Sequence, residues 1–247
     1  MFSIVLCVNK DNYYLDQAIE SVLFQSFEKF ELIIVANNCT DELYIKLKKI
    51  SETDMRIKLF RTFIGQLCFN LNYAINEAQY EHIVRMDADD VCYPNRLDII
   101  NTIIKRHDAD IYCFSYEIIN EDGFTIDKVF FPDGAINSKK LFFKNTICHP
   151  TVVFKRSSIL KLRGYSGGFQ SEDLDLWFRA IRDGMTIFSS SKITLKYRIH
   201  TQQSRGNVLP YCEVSGYILR ELLLNFSFIK FFALFFSLFK RYLRPYK

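Results

Sequence analysis

Apolar residues in the first half of the chain fall into short continuous runs separated by amphipathic stretches. Phe2–Val8 and Glu31–Ala36 are nearly uninterrupted apolar runs, the pattern of strands covered on both faces. Between them Ala18, Ile19, Val22 and Leu23 recur at helical spacing. They predict a helix from Asp16 to about Phe27, with Asp16 as its cap. The same period runs from Asp41 to about Ile50, over Gln66–Gln79, and from Pro94 to Ile104. Proline there suits a first helical turn. Ile57–Arg61 and His82–Met86 read as the third and fourth strands. The order β-α-β-α-β-α-β predicts a mostly parallel sheet with helices on both faces.

The second half is less regular. Asp110–Tyr116, Thr125–Phe131, Thr151–Phe154 and Lys192–Tyr197 read as strands, with a turn at Glu121-Asp122-Gly123. Ser138–Lys144 and Glu172–Arg182 read as helices, and Gly164 to Gly168 as a loop. No repeat, low-complexity segment or Pro/Gly/Ser linker interrupts the chain. The expectation is one α/β domain over residues 1–210, split into halves at about 110, and a tail over 211–247.

The tail changes the charge picture. Six of the 32 basic residues and one of the 28 acidic ones lie in 217–247, so the body is close to neutral and the tail carries the positive excess. A nucleic-acid binder would carry its basic patch on the folded body, so none is expected as a partner. Phe226–Phe239 is rich in Phe, with Lys230 in its middle and Lys240, Arg241, Arg244 and Lys247 after it. It is too short for a span of about 20 residues. A basic flank beside an apolar face predicts an amphipathic helix lying on an anionic membrane surface. The competing expectation packs that helix on the body or on a second subunit. Seven cysteines without a C-x-x-C pair argue against a disulfide framework and a structural zinc site. The chain opens directly on a strand, with no signal peptide. A reducing, cytoplasmic setting is expected, in which the sequons at Asn38 and Asn225 carry no meaning.

Candidate chemistry lies at two acidic clusters. Asp87-Ala88-Asp89-Asp90 follows the fourth strand. Three carboxylates crowded at a strand exit suit Mg²⁺ or Mn²⁺ with a diphosphate, since both metals favour oxygen ligands. The bland alternative is an acidic turn capping the next helix. The second cluster, Glu172-Asp173-Leu174-Asp175-Leu176-Trp177, opens a helix, where the macrodipole favours acids in any case. A buried aromatic near Asp173 would shield the carboxylate and make it a better general base. After the last strand, Arg198 is a candidate phosphate contact and His200 a candidate metal or diphosphate contact. No Walker, G-x-G-x-x-G, G-x-S-x-G or H-E-x-x-H motif occurs.

Five segments together resemble family-2 glycosyltransferases of the GT-A fold, over roughly residues 2–205. They are the opening strand–helix–strand, Asp87-Ala88-Asp89-Asp90 with Pro94, Arg96 and Leu97, Cys148-His149-Pro150-Thr151-Val152-Val153-Phe154, Glu172-Asp173 with Leu176-Trp177 and Arg179, and Tyr197-Arg198 with His200 and Ser204. The resemblance implies a nucleotide-sugar half, a smaller mixed acceptor half, and an inverting transfer from a nucleotide sugar, expected to be UDP-hexose. The acceptor implied is a glycan hydroxyl, expected to be lipid-linked, in surface polysaccharide synthesis at the inner membrane face. It places Cys7, Asn9, Asn37, Asp87, Ala88 and Asp89 around the nucleotide sugar. Asp89, Asp90 and His200 fall near the metal, Mn²⁺ or Mg²⁺, with Asp89 or Asp90 the direct ligand. Asp173 becomes the base, and His149, Glu172, Trp177 and Arg198 fall on the acceptor side or behind the ligand-touching residues. Asn37 stands where the family often has an Asp that accepts from uracil; its amide oxygen can still accept. An aromatic usual after the first strand is missing, and Tyr13 or Tyr14 is expected to replace it. A metal-dependent nucleotidyltransferase and a non-catalytic membrane-docked scaffold are the alternatives; donor hydrolysis separates all three.

Overall fold

The computed structural model describes residues 1–201 and 208–243, with side chains through Lys240. Ser204, Arg244 and Lys247, and the side chain of Arg241, lie outside the described parts. The chain folds in the order β1 (Phe2–Val8), α1 (Leu15–Leu23), β2 (Phe30–Asn37), α2 (Asp41–Ser51), β3 (Ile57–Thr62), α3 (Leu67–Glu77), β4 (His82–Met86), β5 (Val91–Cys92) and α4 (Arg96–Arg106). The second half continues through β6 (Ile111–Ile119), β7 (Thr125–Val129), β8 (Gly134–Ala135), α5 (Ser138–Leu141), β9 (Val153–Lys155), α6 (Arg156–Lys161), α7 (Glu172–Arg182), β10 (Ile187–Arg198), α8 (Leu209–Leu224) and α9 (Phe228–Leu243).

The described strands form one sheet in the order β3-β2-β1-β4-β9-β6-β10-β5, with β7 beside β6 and β8 beside β10. The first four are mutually parallel, and β9 runs antiparallel between β4 and β6. The continuous apolar runs have the expected cause. In β1, Ile4, Leu6 and Val8 face one core while Val5 and Cys7 face the other; β2 alternates in the same way. Helices α1, α2 and α4 cover one face, and α3, α6, α7 and α8 the other.

β1 sits between β2 and β4, so the chain winds outward to β3 and then returns to β1's other side. The connections leaving the paired carboxyl ends of β1 and β4 run to opposite sides at this reversal, where open α/β sheets hold ligands. Cys7–Asn9 and Asp87 lie there.

Several boundaries differ from the sequence pattern. Helix α1 stops at Leu23 because Gln25 turns the chain toward α4, donating to Tyr93 O at 2.7 Å and accepting from Leu97 N–H at 3.0 Å. Thr40 caps α2 through its hydroxyl, which accepts from the Leu43 N–H. Strand β10 begins at Ile187, five residues before the apolar pattern suggests. Ser189, Ser190 and Ser191 conceal its start, and their hydroxyls are satisfied by Pro132, Gly134 and Asp133. A register shift between Ser190 and Ile193 follows. His149–Thr151 forms a single 3₁₀ turn ahead of β9.

Helix α8 carries the folded body past residue 210, where the sequence pattern placed its end. Ile218 is fully buried in the core shared with Trp177 and Phe178. Arg220 pairs with the buried Asp175 at 2.5 Å, and Arg182 with the buried Glu221 at 2.6 Å. Helix α9 folds back on α8, burying Ala233 and Ser237, with the Ser237 and Ser215 hydroxyls 3.0 Å apart. Phe228, Phe232, Phe235 and Phe239 stay exposed. No helix among the described residues is long and apolar enough to cross a membrane.

Candidate active site

Strand β4 ends at Met86, and the chain turns through Asp87-Ala88-Asp89-Asp90 into β5. Asp87, Asp89 and Asp90 each present an oxygen within 4.8 Å of the others. Asp90 is fully buried. One of its oxygens accepts from the Arg198 backbone N–H at 2.9 Å, and the other has no protein partner. Burial pushes its carboxyl well above the usual range, and repulsion from Asp87 and Asp89 adds to that. Burial also raises Asp87, against the opposing pull of Arg85, whose guanidinium lies 2.6 Å away. His200 Nε2 lies 2.9 Å from Asp89 Oδ2. Crowded carboxylates with an orphaned buried oxygen are the donor set a hard divalent cation favours, so these residues fit a metal.

Arg198 does not face the cleft as a phosphate contact would. Its buried guanidinium donates to the Asp89, Asn120 and Glu121 carbonyls and to Gln17 Oε1, and lies over the Tyr14 ring. It braces the acidic turn from behind. Tyr14 is occupied by Arg198 and His200, and neither it nor Tyr13 lines the cavity at the strand ends.

That cavity, of about 610 Å³, is lined by Cys7, Asn9, Asn37, Asp87, Ala88 and Asp89 among others. The buried Asn37 has an amide oxygen with no partner. A second cavity of about 800 Å³ joins it, because Asp87, His149, Gln170, Glu172 and Tyr197 line both. Asp173 lines the second one.

Asp173 accepts from Asn145 Nδ2 at 2.8 Å and from the Leu174 backbone N–H at 2.7 Å. Burial raises its carboxyl above the usual range against those bonds. Glu172 is pushed up to about 7, by burial first and by Asp173 second. His149 is held well below its ordinary value by burial and by Arg85, so it is neutral, and its Nε2 lies 2.6 Å from Tyr165 Oη. Trp177 does not line either cavity; it stacks on Phe154 and meets His149 edge-on, supporting the floor rather than touching ligand space. Gly168 completes the bend before α7 at φ +101°. A Cβ there would lie 2.7 Å from Tyr217 Oη and 3.3 Å from the Glu172 nitrogen.

Residues 3–163 match the profile described as Glycosyl transferase family 2. The chain belongs to this family. The O-antigen biosynthesis glycosyltransferase WbnJ of Escherichia coli is 40% identical over 227 residues, 90% of this chain and 89% of that protein. An uncharacterized glycosyltransferase of Methanocaldococcus jannaschii, MJ1057, is 30% identical over 207 residues, 81% of this chain and 71% of that protein. A crystal structure of S. aureus TarS in complex with UDP-GlcNAc superposes with a TM-score of 0.77 at 16% identity. It covers 97% of this chain and 73% of that one. The protein is therefore a glycosyltransferase of GT-A-like fold, and the nucleotidyltransferase and scaffold alternatives fall away.

Sequence reasoning missed several residues of the glycosyltransferase's cleft. Arg85 was detectable as the lone Arg in an otherwise apolar strand. Asn145 and Gln170 carry no local signal, since they reach the cleft only through tertiary packing, and Tyr165 stands behind it on His149. Arg96 joins the strand exit to the 3₁₀ turn by donating to Arg85 O and Pro150 O at 2.9 and 2.8 Å.

Proposed function

We propose that this glycosyltransferase transfers a sugar, with inversion, from a nucleotide-sugar donor to a glycan hydroxyl. The donor is taken as a UDP-hexose and the acceptor as a lipid-linked glycan of a surface polysaccharide, built at the cytoplasmic face of the membrane. One observation carries the reading: two acidic groups of different character face one continuous cleft. The strand-end group fits a metal and a diphosphate; the helix-start group fits a proton acceptor. The relation to WbnJ supports polysaccharide synthesis, and the UDP-GlcNAc held by TarS supports a UDP donor. Asn37's unpartnered oxygen suits the N3–H of uracil.

Asp87, Asp89 and Asp90 would hold Mn²⁺ or Mg²⁺, with His200 beside them. A cation there supplies charge neutralisation for the departing diphosphate. Asp173 removes the acceptor hydroxyl's proton as that oxygen bonds to the anomeric carbon. The bond from that carbon to the diphosphate oxygen breaks, and its electron pair leaves with the nucleotide. Asn145 and the Leu174 N–H orient the carboxylate. The elevated pKa keeps it a stronger base than a solvated Asp.

The test is hydrolysis of, and transfer from, a panel of nucleotide sugars with Mn²⁺ or Mg²⁺. Asp89→Asn is expected to abolish both, together with Mn²⁺-dependent UDP binding. Asp173→Asn is expected to keep donor affinity and to lose roughly 10²–10⁴-fold in turnover, the usual size of a general-base effect. Undiminished wild-type turnover in excess EDTA removes the metal role. Loss of donor binding in Asp173→Asn removes the base assignment.

A further inference from the structure

A third chamber adjoins the cleft, between α5, the start of α7 and the α8–α9 hairpin. It has a volume of about 340 Å³. Asp173 and Asn145 line it together with Phe142, Phe236, Lys144 and Lys240. Lys144, Asn145, Gln170 and Asp173 also line the 800 Å³ cavity, so the chamber opens onto the candidate base. Phe236 meets the Phe143 ring at 5.9 Å, and the Lys240 ammonium lies 5.7 Å from the Phe236 ring centroid. Beyond them, α9 exposes Phe232, Phe235 and Phe239. A proton-accepting carboxylate, two lysines and an exposed aromatic helix face thus border one continuous space.

The lysines and the aromatic face lie next to one another on one side of the chamber. A lipid phosphate uses both: the ammonium groups pair with the phosphate oxygens, and the chain covers apolar surface that water otherwise meets. We propose that this chamber is the subsite for the phosphate of a lipid-phosphate-linked acceptor, with Lys144 and Lys240 on the phosphate and the lipid chain leaving across the phenylalanine face of α9. This assignment rests on the glycosyl-transfer reading above and gives its acceptor a chemical class.

The experiment is calorimetric titration of the full-length protein with dodecyl phosphate below its micellar concentration. Dodecyl maltoside and inorganic phosphate serve as comparators. Saturable binding of dodecyl phosphate is expected, at least tenfold tighter than either comparator. The double variant Lys144→Gln/Lys240→Gln is expected to lose at least tenfold in that affinity, and Lys144→Arg/Lys240→Arg to retain it. Absence of saturable binding, equal binding of dodecyl maltoside, equal binding of inorganic phosphate, or unchanged affinity in the Gln variant overturns the proposal. Hydrolysis of nucleotide sugars by the same wild-type preparation keeps the two readings apart. Hydrolysis without dodecyl phosphate binding defeats the subsite alone; no hydrolysis of any nucleotide sugar defeats the transfer reading beneath it.

Discussion

Glu172 and Asp173 are adjacent carboxylates with different surroundings. Asp173 is fixed by an amide and a backbone N–H, whereas Glu172 borders both main cavities and is pushed up to about 7. Burial raises Glu172 most, Asp173 and Asp87 add to it, and its own backbone N–H and Arg85 oppose it. Its folded-state pKa exceeds its unfolded value, so the folded state holds the proton more tightly. The associated stability is complete below about pH 4 and is lost as pH rises through about 7. The ligand-free protein is therefore expected to melt lower at pH 8 than at pH 6. Glu172→Gln removes that contribution, about 3 kcal/mol over the range from pH 4 to pH 8, of which about 1 kcal/mol falls between pH 6 and pH 8. Melting curves at both pH values check it, and an unchanged slope in the variant refutes the assignment. The acidic residues at this scale were legible in the sequence because each cluster is contiguous and sits at an element boundary. The partners that tune them, Arg85 and Asn145, come from β4 and the segment after α5. Arg85 stands out as an Arg within a buried strand, whereas Asn145 has no local signal, and only the tertiary fold brings the two to the acidic clusters.

At the level of elements, the parallel half was legible because its strands are buried on both faces and its helices carry one apolar stripe each. Helix α8 was not, because Leu219, Leu223 and Leu224 place exposed apolar residues beside the buried Ile218 and blur the stripe. Its role is structural and local to the site. Glu213 accepts the backbone N–H groups of Phe169 and Gln170 at 2.7 and 3.3 Å, holding the bend that leads into α7. Arg220 provides part of the counter-charge for Asp175, and Arg182 is engaged by Glu221. Truncation after Asn225 removes α9 alone and is expected to leave a folded protein that still hydrolyses donor. Truncation after Val208 also removes α8, opening a cavity at Ile218 and stripping charge partners from Asp175 and Arg182. Loss of the Ile218 packing costs about 2–5 kcal/mol, and Asp175 is left with Arg179 alone as its counter-charge. Those losses are a large fraction of a typical domain's whole stability. The longer truncation is expected to be unfolded or aggregated. A cooperative melt near the wild-type temperature for that form would show that α8 is dispensable.

Along the whole chain, net positive charge and exposed aromatic residues concentrate in the last segment. The positive excess belongs to residues 217–247, and the exposed phenylalanines concentrate on α9, next to the chamber that adjoins Asp173. The described part of α9 is neither purely a packed helix nor purely a free one. Its Ala233–Ser237 side is buried on α8, while its phenylalanine side faces outward. A helix held this way presents an aromatic face without needing the membrane to fold it, and on the proposed reading that face would set the cleft beside a lipid surface. Binding to anionic vesicles is expected to combine two terms: apolar insertion of the Phe face, and attraction of Lys240, Arg241 and Arg244 to lipid headgroups. Replacing those three by Gln is expected to weaken binding by about 1 kcal/mol per charge at moderate salt. High salt should weaken wild-type binding in the same direction by screening. Replacing Phe232, Phe235 and Phe239 by Ser removes the other term and should leave a salt-sensitive residue of binding. Vesicle flotation at two salt concentrations, with anionic and neutral lipid, measures both terms. Binding by the wild type that ignores lipid charge and survives both sets of replacements would mean that another surface makes the contact, and α9 would then be free to pair with a second subunit.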